Sequence, residues 1–190
     1  MNQGSGGGDQ GSGKVHSPIS DPRSLNSIII LGIDPGLQRT GFGVIKQIGN
    51  SLSFVACGVI KSDSSEDLAV RLRALSGGVS EIIAHHRPVT AAIEETFVSV
   101  NGASTLKLGQ ARGALLLTLA QAGLPIAEYA ATLVKKSIVG TGRAEKPQVA
   151  QMVRMLLSGC GEGGADAMDA LAVAICHAHH IHSVRNYARG

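Results

Sequence analysis

The sequence predicts an α/β domain built on a mixed five-stranded sheet, three antiparallel strands followed by parallel ones, with helices on both faces. Three observations predict it. The first apolar part of the chain holds three strand-like segments with no helix between them, the pattern of an antiparallel meander. Helical segments then alternate with two short apolar strands, and helices fill the remainder, so that both faces of the sheet must be covered.

Taken in order, Ile28 to Ile33 is a continuous apolar run closed by Asp34-Pro35-Gly36. It reads as a buried central strand ending in a sharp turn, with Asp34 at the strand's end. Gly41 to Ile45 and Leu52 to Ile60 are the next two strands, joined by a hairpin turn in Gln47 to Ser51 that contains Gly49-Asn50. From Glu66 to His85, Leu68, Leu72, Leu75, Val79, Ile82 and Ile83 recur at helical spacing, and Pro88 marks the stop. Val89 to Ile93 is a strand ending in Glu94. Ser104 to Ala122 is a long helix stopped by Gly123 and Pro125, and Ile126 to Tyr129 is the fifth strand. Beyond it come Ala131 to Ile138, a Gly140-Thr141-Gly142 loop, a helix from about Glu145 to Leu157 with Pro147 in its first turn, and a helix from Ala165 to about His180. This order of elements is the one used by ribonuclease H-like domains.

Composition sets the bounds. The chain has 190 residues, 44% of them hydrophobic, enough for one compact core. Residues 1–26 hold six of the 25 glycines together with Ser, Gln and Asn, and are expected to form a disordered arm. The folded unit is expected over 27–182 and a flexible tail over 183–190. There is no apolar leader near Met1 and no apolar run of bilayer length, which points to a soluble protein of the cytoplasm. Cys57, Cys160 and Cys176 form no CxxC pair, as expected of reduced thiols rather than a disulfide framework or zinc ribbon. The net charge of +3 leans mildly toward a polyanionic partner.

The acids carry more information. Asp34 ends the first strand and Glu94 the fourth, while Asp166 and Asp169 stand three apart at the start of the last helix, one above the other on one face. Ala165, Ala167, Met168, Ala170 and Leu171 surround that pair with small or apolar side chains. Singly, an Asp at a helix start is ordinarily a cap, and an Asp in an Asp-Pro-Gly turn is ordinarily structural. Together, four converging carboxylates repel one another and call for cations. All-oxygen donors suit Mg²⁺ or Mn²⁺ rather than zinc, and two such ions about 3.5–4 Å apart support hydrolysis of a phosphodiester. Glu95 alternates to the other side if the strand continues, which assigns the site to Glu94.

The stretches Leu31-Gly32-Ile33-Asp34-Pro35-Gly36 and Thr40-Gly41-Phe42-Gly43-Val44 resemble the opening signature of RuvC-family Holliday-junction resolvases. Ala92-Ile93-Glu94 with Phe97 resembles that family's second acidic motif, Leu106-Lys107-Leu108-Gly109-Gln110-Ala111-Arg112-Gly113 its dimer-side helix, and Asp166-Ala167-Met168-Asp169-Ala170-Leu171-Ala172 its closing motif. The resemblance implies that Asp34, Glu94, Asp166 and Asp169 bind two Mg²⁺ ions and form the catalytic set. It implies DNA contacts from Lys135 and Lys146 near the cut phosphate, and from Phe97 stacked on an unpaired base. It further implies a homodimer acting on four-way junction DNA, with the RuvA and RuvB branch-migration proteins as partners.

The run Cys176-His177-Ala178-His179-His180-Ile181-His182 lacks a closed ligand set and is expected to be a solvated helix end. Three other functions compete. A sugar-kinase or chaperone-type ATPase needs two lobes and a second phosphate turn, and neither is found here. A silent DNA-binding module gives no reason for clustered acids beside DNA. A single-site RNA nuclease is disfavoured by the Lys107 to Gly113 segment.

Overall fold

The computed structural model describes residues 1, 27–95, 102–161 and 163–187, the last six of these as backbone alone. Phe97 and nearly all of the Gly-rich arm lie outside the described residues. The elements in order are β1 (Ile28–Asp34), β2 (Arg39–Ile48), β3 (Ser51–Lys61), α1 (Leu68–His86), β4 (Thr90–Glu94), α2 (Gly102–Gln121), β5 (Ile126–Tyr129), α3 (Ala131–Val139), α4 (Lys146–Leu156) and α5 (Ala165–Tyr187). The five strands form one sheet in the order β3-β2-β1-β4-β5, antiparallel through β3-β2-β1 and parallel through β1-β4-β5. This is the sheet expected from the sequence.

Strand alternation divides the core in two. On β1, Leu31 and Ile33 face one way and pack with Leu75 and Val79 of α1 and Leu115 and Leu119 of α2. Ile30 faces the other way and joins Ala92 of β4, Val134 of α3, Val149 of α4 and the long apolar body of α5. From Ala170 to Cys176 every residue of α5 is at most 1% exposed, because the sheet covers one side and α3 and α4 another. A helix apolar all round must be enclosed in this way. Each of its large side chains, Leu171 and Ile175 among them, contributes about 1.5–3 kcal/mol by leaving water.

How close α5 lies to the sheet depends on glycines. Gly32 and Gly43 are register partners across β1 and β2. A Cβ on Gly32 would stand 2.2 Å from the Ala170 carbonyl oxygen, and one on Gly43 2.7 Å from the Leu171 nitrogen, so the helix rests on bare backbone.

The far end of α5 departs from expectation. The helix continues to Tyr187, past the end expected near His180 and into the stretch expected to be a tail, since no Gly or Pro interrupts it.

Candidate active site

Asp34 stands at the last position of β1, opposite Gly41 of β2. The parallel register of β1 and β4, which pairs Ile33 with Ile93, brings Glu94 alongside it. Both acids share strand parity with residues packed toward α5, Gly32 for Asp34 and Ala92 for Glu94. The turn after Asp34 is clamped by Thr40, fully buried, whose Oγ1 donates to the Gly36 carbonyl at 2.7 Å and accepts from the Gly36 N–H at 3.4 Å. Asp34, Glu94 and Asp169 then line one cleft of about 160 Å³, together with Lys135 of α3 and Lys146 of α4.

Asp166 does not line it. Its Oδ2 accepts a hydrogen bond from Nε of Arg39 at 2.6 Å, at the outer edge of the site. The structure therefore gathers Asp34, Glu94, Asp169, Lys135 and Lys146 and holds Asp166 beside them.

The charges are unbalanced in a way that favours a cation. Burial, then the carboxylates of Glu94 and Asp169, push Asp34 up to about 7, against the opposing pull of Lys146. Burial and Asp169 likewise raise Glu94, with Lys146 and Lys135 working the other way. Lys146 donates from Nζ to Asp169 Oδ2 at 2.6 Å, and that bond holds the ammonium above its ordinary range. Among the described residues no three His, Cys, Asp or Glu side chains already stand at metal-holding geometry. Two of the four carboxylates are neutralised by the protein's own cations instead. An all-oxygen, over-charged donor set with Arg and Lys as stand-ins fits a hard divalent ion.

The sequence reading missed two arginines. Arg39 shares β2 parity with Gly41 and Gly43, which press on α5, so strand alternation alone could have placed it there. Arg112 of α2 donates from Nε to the Glu94 carbonyl at 3.1 Å and forms an ion pair with Glu128 of β5. It braces the end of β4 from behind, and nothing in sequence spacing signals that.

The histidine run is a solvated helix end only in part, since His179 is exposed but His177 is not. His177 is 3% exposed and bridges Thr90 of β4 and Tyr129 of β5, while His179 bonds Ser137 of α3 at 3.0 Å. The packing of α5 under the sheet carries His177 inward. Cys57, Cys160 and Cys176 are free thiols, as expected.

The family model for crossover junction endodeoxyribonuclease RuvC matches residues 30–177, a span that includes all four acids. The chain belongs to the RuvC family. The crossover junction endodeoxyribonuclease RuvC of Paramagnetospirillum magneticum is 59% identical over 160 residues, 84% of this chain and 96% of the relative. That of Ruegeria pomeroyi is 60% identical over 151 residues, 80% and 91% of the two chains. Among solved structures, T. thermophilus RuvC in complex with Holliday junction substrate superposes with a TM-score of 0.76 at 31% identity, covering 83% of this chain and 96% of that one. RuvC-family membership carries the enzyme class, an endodeoxyribonuclease with metal-dependent chemistry.

Proposed function

We propose that this chain resolves four-way DNA junctions as a homodimer, nicking them symmetrically by metal-dependent phosphodiester hydrolysis during homologous recombination and DNA repair. The observation that carries the reading is a single cleft where the half-buried Asp34 meets Glu94, Asp169 and two lysines in a RuvC-family fold.

Asp34, Glu94, Asp166 and Asp169 are the residues that would hold two Mg²⁺ ions, with Mn²⁺ as a substitute. When bound, such ions supply an activated water and neutralise charge at the phosphodiester. Lys135 and Lys146 give the cleft its positive wall and would grip non-bridging phosphate oxygens, adding charge stabilisation there. Phe97, three residues past Glu94, would stack on a base splayed from the junction.

The dimer reading rests on α2. Leu106 and Leu117 are 65% and 58% exposed, and Gly109 and Gly113 between them face open space. Residues 106, 109, 113 and 117 recur on one helical stripe, a small-and-apolar surface suited to a second copy. Two-fold symmetry then sets two clefts against a two-fold symmetric substrate. RuvA and RuvB are the proposed branch-migration partners. No helix among the described residues is long and apolar enough to cross a membrane, in keeping with the proposed cytoplasmic location.

The test is a labelled synthetic four-way junction incubated with the protein, with and without Mg²⁺. Paired nicks in strands of like polarity are expected only with the metal. Junction left intact in Mg²⁺ and in Mn²⁺ would overturn the reading.

A further inference from the structure

We propose that Arg39 is an internal counter-ion of the site, occupying Asp166 until a divalent cation displaces it, and so a positioning residue that sets how readily the metal is taken up. The inference rests on the reading of the cleft as a metal centre.

The geometry is imposed by β2. Arg39, Gly41 and Gly43 alternate along that strand and share the face against α5. A Cβ at Gly41 would stand 2.0 Å from the Asp166 carbonyl oxygen, so the first turn of α5 is wedged on the strand two residues beyond Arg39. The aspartate's backbone therefore lies directly against the strand that carries Arg39. Its carboxylate is left 2.6 Å from the Arg39 Nε, with the two side chains 49% and 29% exposed. Of the four acids, Asp166 is the one that does not line the cleft, and it is the one held by a guanidinium.

Arg suits this role because it stays charged at any working pH, whereas its half-exposed setting keeps the pair weak enough to be displaced. A divalent ion that takes Oδ2 of Asp166 must break this contact first. Its apparent affinity is lowered by whatever the pair is worth.

The experiment is calorimetric titration of the full chain with Mn²⁺ in the absence of DNA, so that no turnover enters the readout. Arg39→Gln is expected to bind Mn²⁺ about two- to fivefold more tightly than the native chain, the range of an exposed ion pair. Arg39→Met should do the same, and it retains the apolar stem. Arg39→Lys, which restores the charge, should return the affinity toward the native value. Equal or weaker binding by both neutral variants, with unchanged circular dichroism, overturns the role of Arg39 and leaves the metal centre standing. Absence of Mn²⁺ binding from native and variant chains alike removes the metal centre and this inference with it.

Discussion

Nδ1 of His177 accepts the phenolic hydrogen of Tyr129 at 2.8 Å, and the ring's other nitrogen fixes why. Thr90 spends its one hydrogen on the Pro125 carbonyl at 3.1 Å, so at 2.9 Å His177 Nε2 must donate to Thr90 Oγ1. The ring is thus neutral, with its proton on Nε2, and burial followed by the His180 charge holds it down at about 4. The unfolded chain takes up this proton near the ordinary histidine value and the folded chain does not, so stability is complete above about pH 6.5 and is lost as pH falls toward 4. The loss attributable to this group is on the order of 3 kcal/mol. Urea midpoints at pH 7 and pH 4.5 should show it, and His177→Leu, although less stable at pH 7, should have the flatter profile. An equally steep profile in that variant would contradict the assignment.

Gly41→Ala places a methyl against the Asp166 backbone, which unlike a flexible side chain cannot swing aside. Overpacking of this kind costs about 1–3 kcal/mol. Because the displaced segment is the turn carrying Asp166, junction cleavage should fall by more than the stability loss explains. Melting temperature and cleavage rate measured together check this, and a variant that melts lower yet cuts at the native rate would refute it.

Asp34→Asn is expected to abolish cleavage while junction binding survives. It should also stabilise the metal-free protein. Burial and the neighbouring carboxylates push Asp34 up to about 7, above its unfolded value, so its contribution is intact below about pH 4 and is lost progressively as pH rises from there to 7. In chelator at pH 8 the amide should gain up to about 4 kcal/mol, read from denaturant midpoints. A variant less stable than the native chain under those conditions would argue against charge crowding.

Leu106→Glu combined with Leu117→Glu puts two charges on the exposed stripe of α2 without touching either core cluster. The pair should convert the proposed dimer to a monomer in gel filtration, with little change in secondary structure. A double variant that still elutes as a dimer would move the interface elsewhere.

The strands, the glycine-bearing turn and the placing of Asp34 and Glu94 at strand ends were legible because each follows from local periodicity, whereas the meeting of Asp34, Glu94 and Asp169 was legible through the resemblance of the acidic motifs. Alternation puts residues 30, 32 and 34 on one face, and the i, i+3 spacing puts Asp169 above Asp166. His177 was misread because it stands beside His179 and His180 in a histidine-rich run, whereas its burial is decided by β4 and by Tyr129 of β5 arriving from elsewhere. The same holds for Arg112, whose bond to the Glu94 carbonyl crosses from one element to another. Contacts between remote elements leave no period to read.

Enclosure of α5 from Ala170 to Cys176 has a kinetic corollary. The helix that carries Asp166 and Asp169 is buried through its middle among the described residues, so the proposed active centre has no private hinge there through which to melt. Its amides between Ala167 and Ala178 should exchange with deuterium only through whole-molecule opening. Heat inactivation and global unfolding would then share one midpoint, and the enzyme would fail all at once rather than lose its chemistry first.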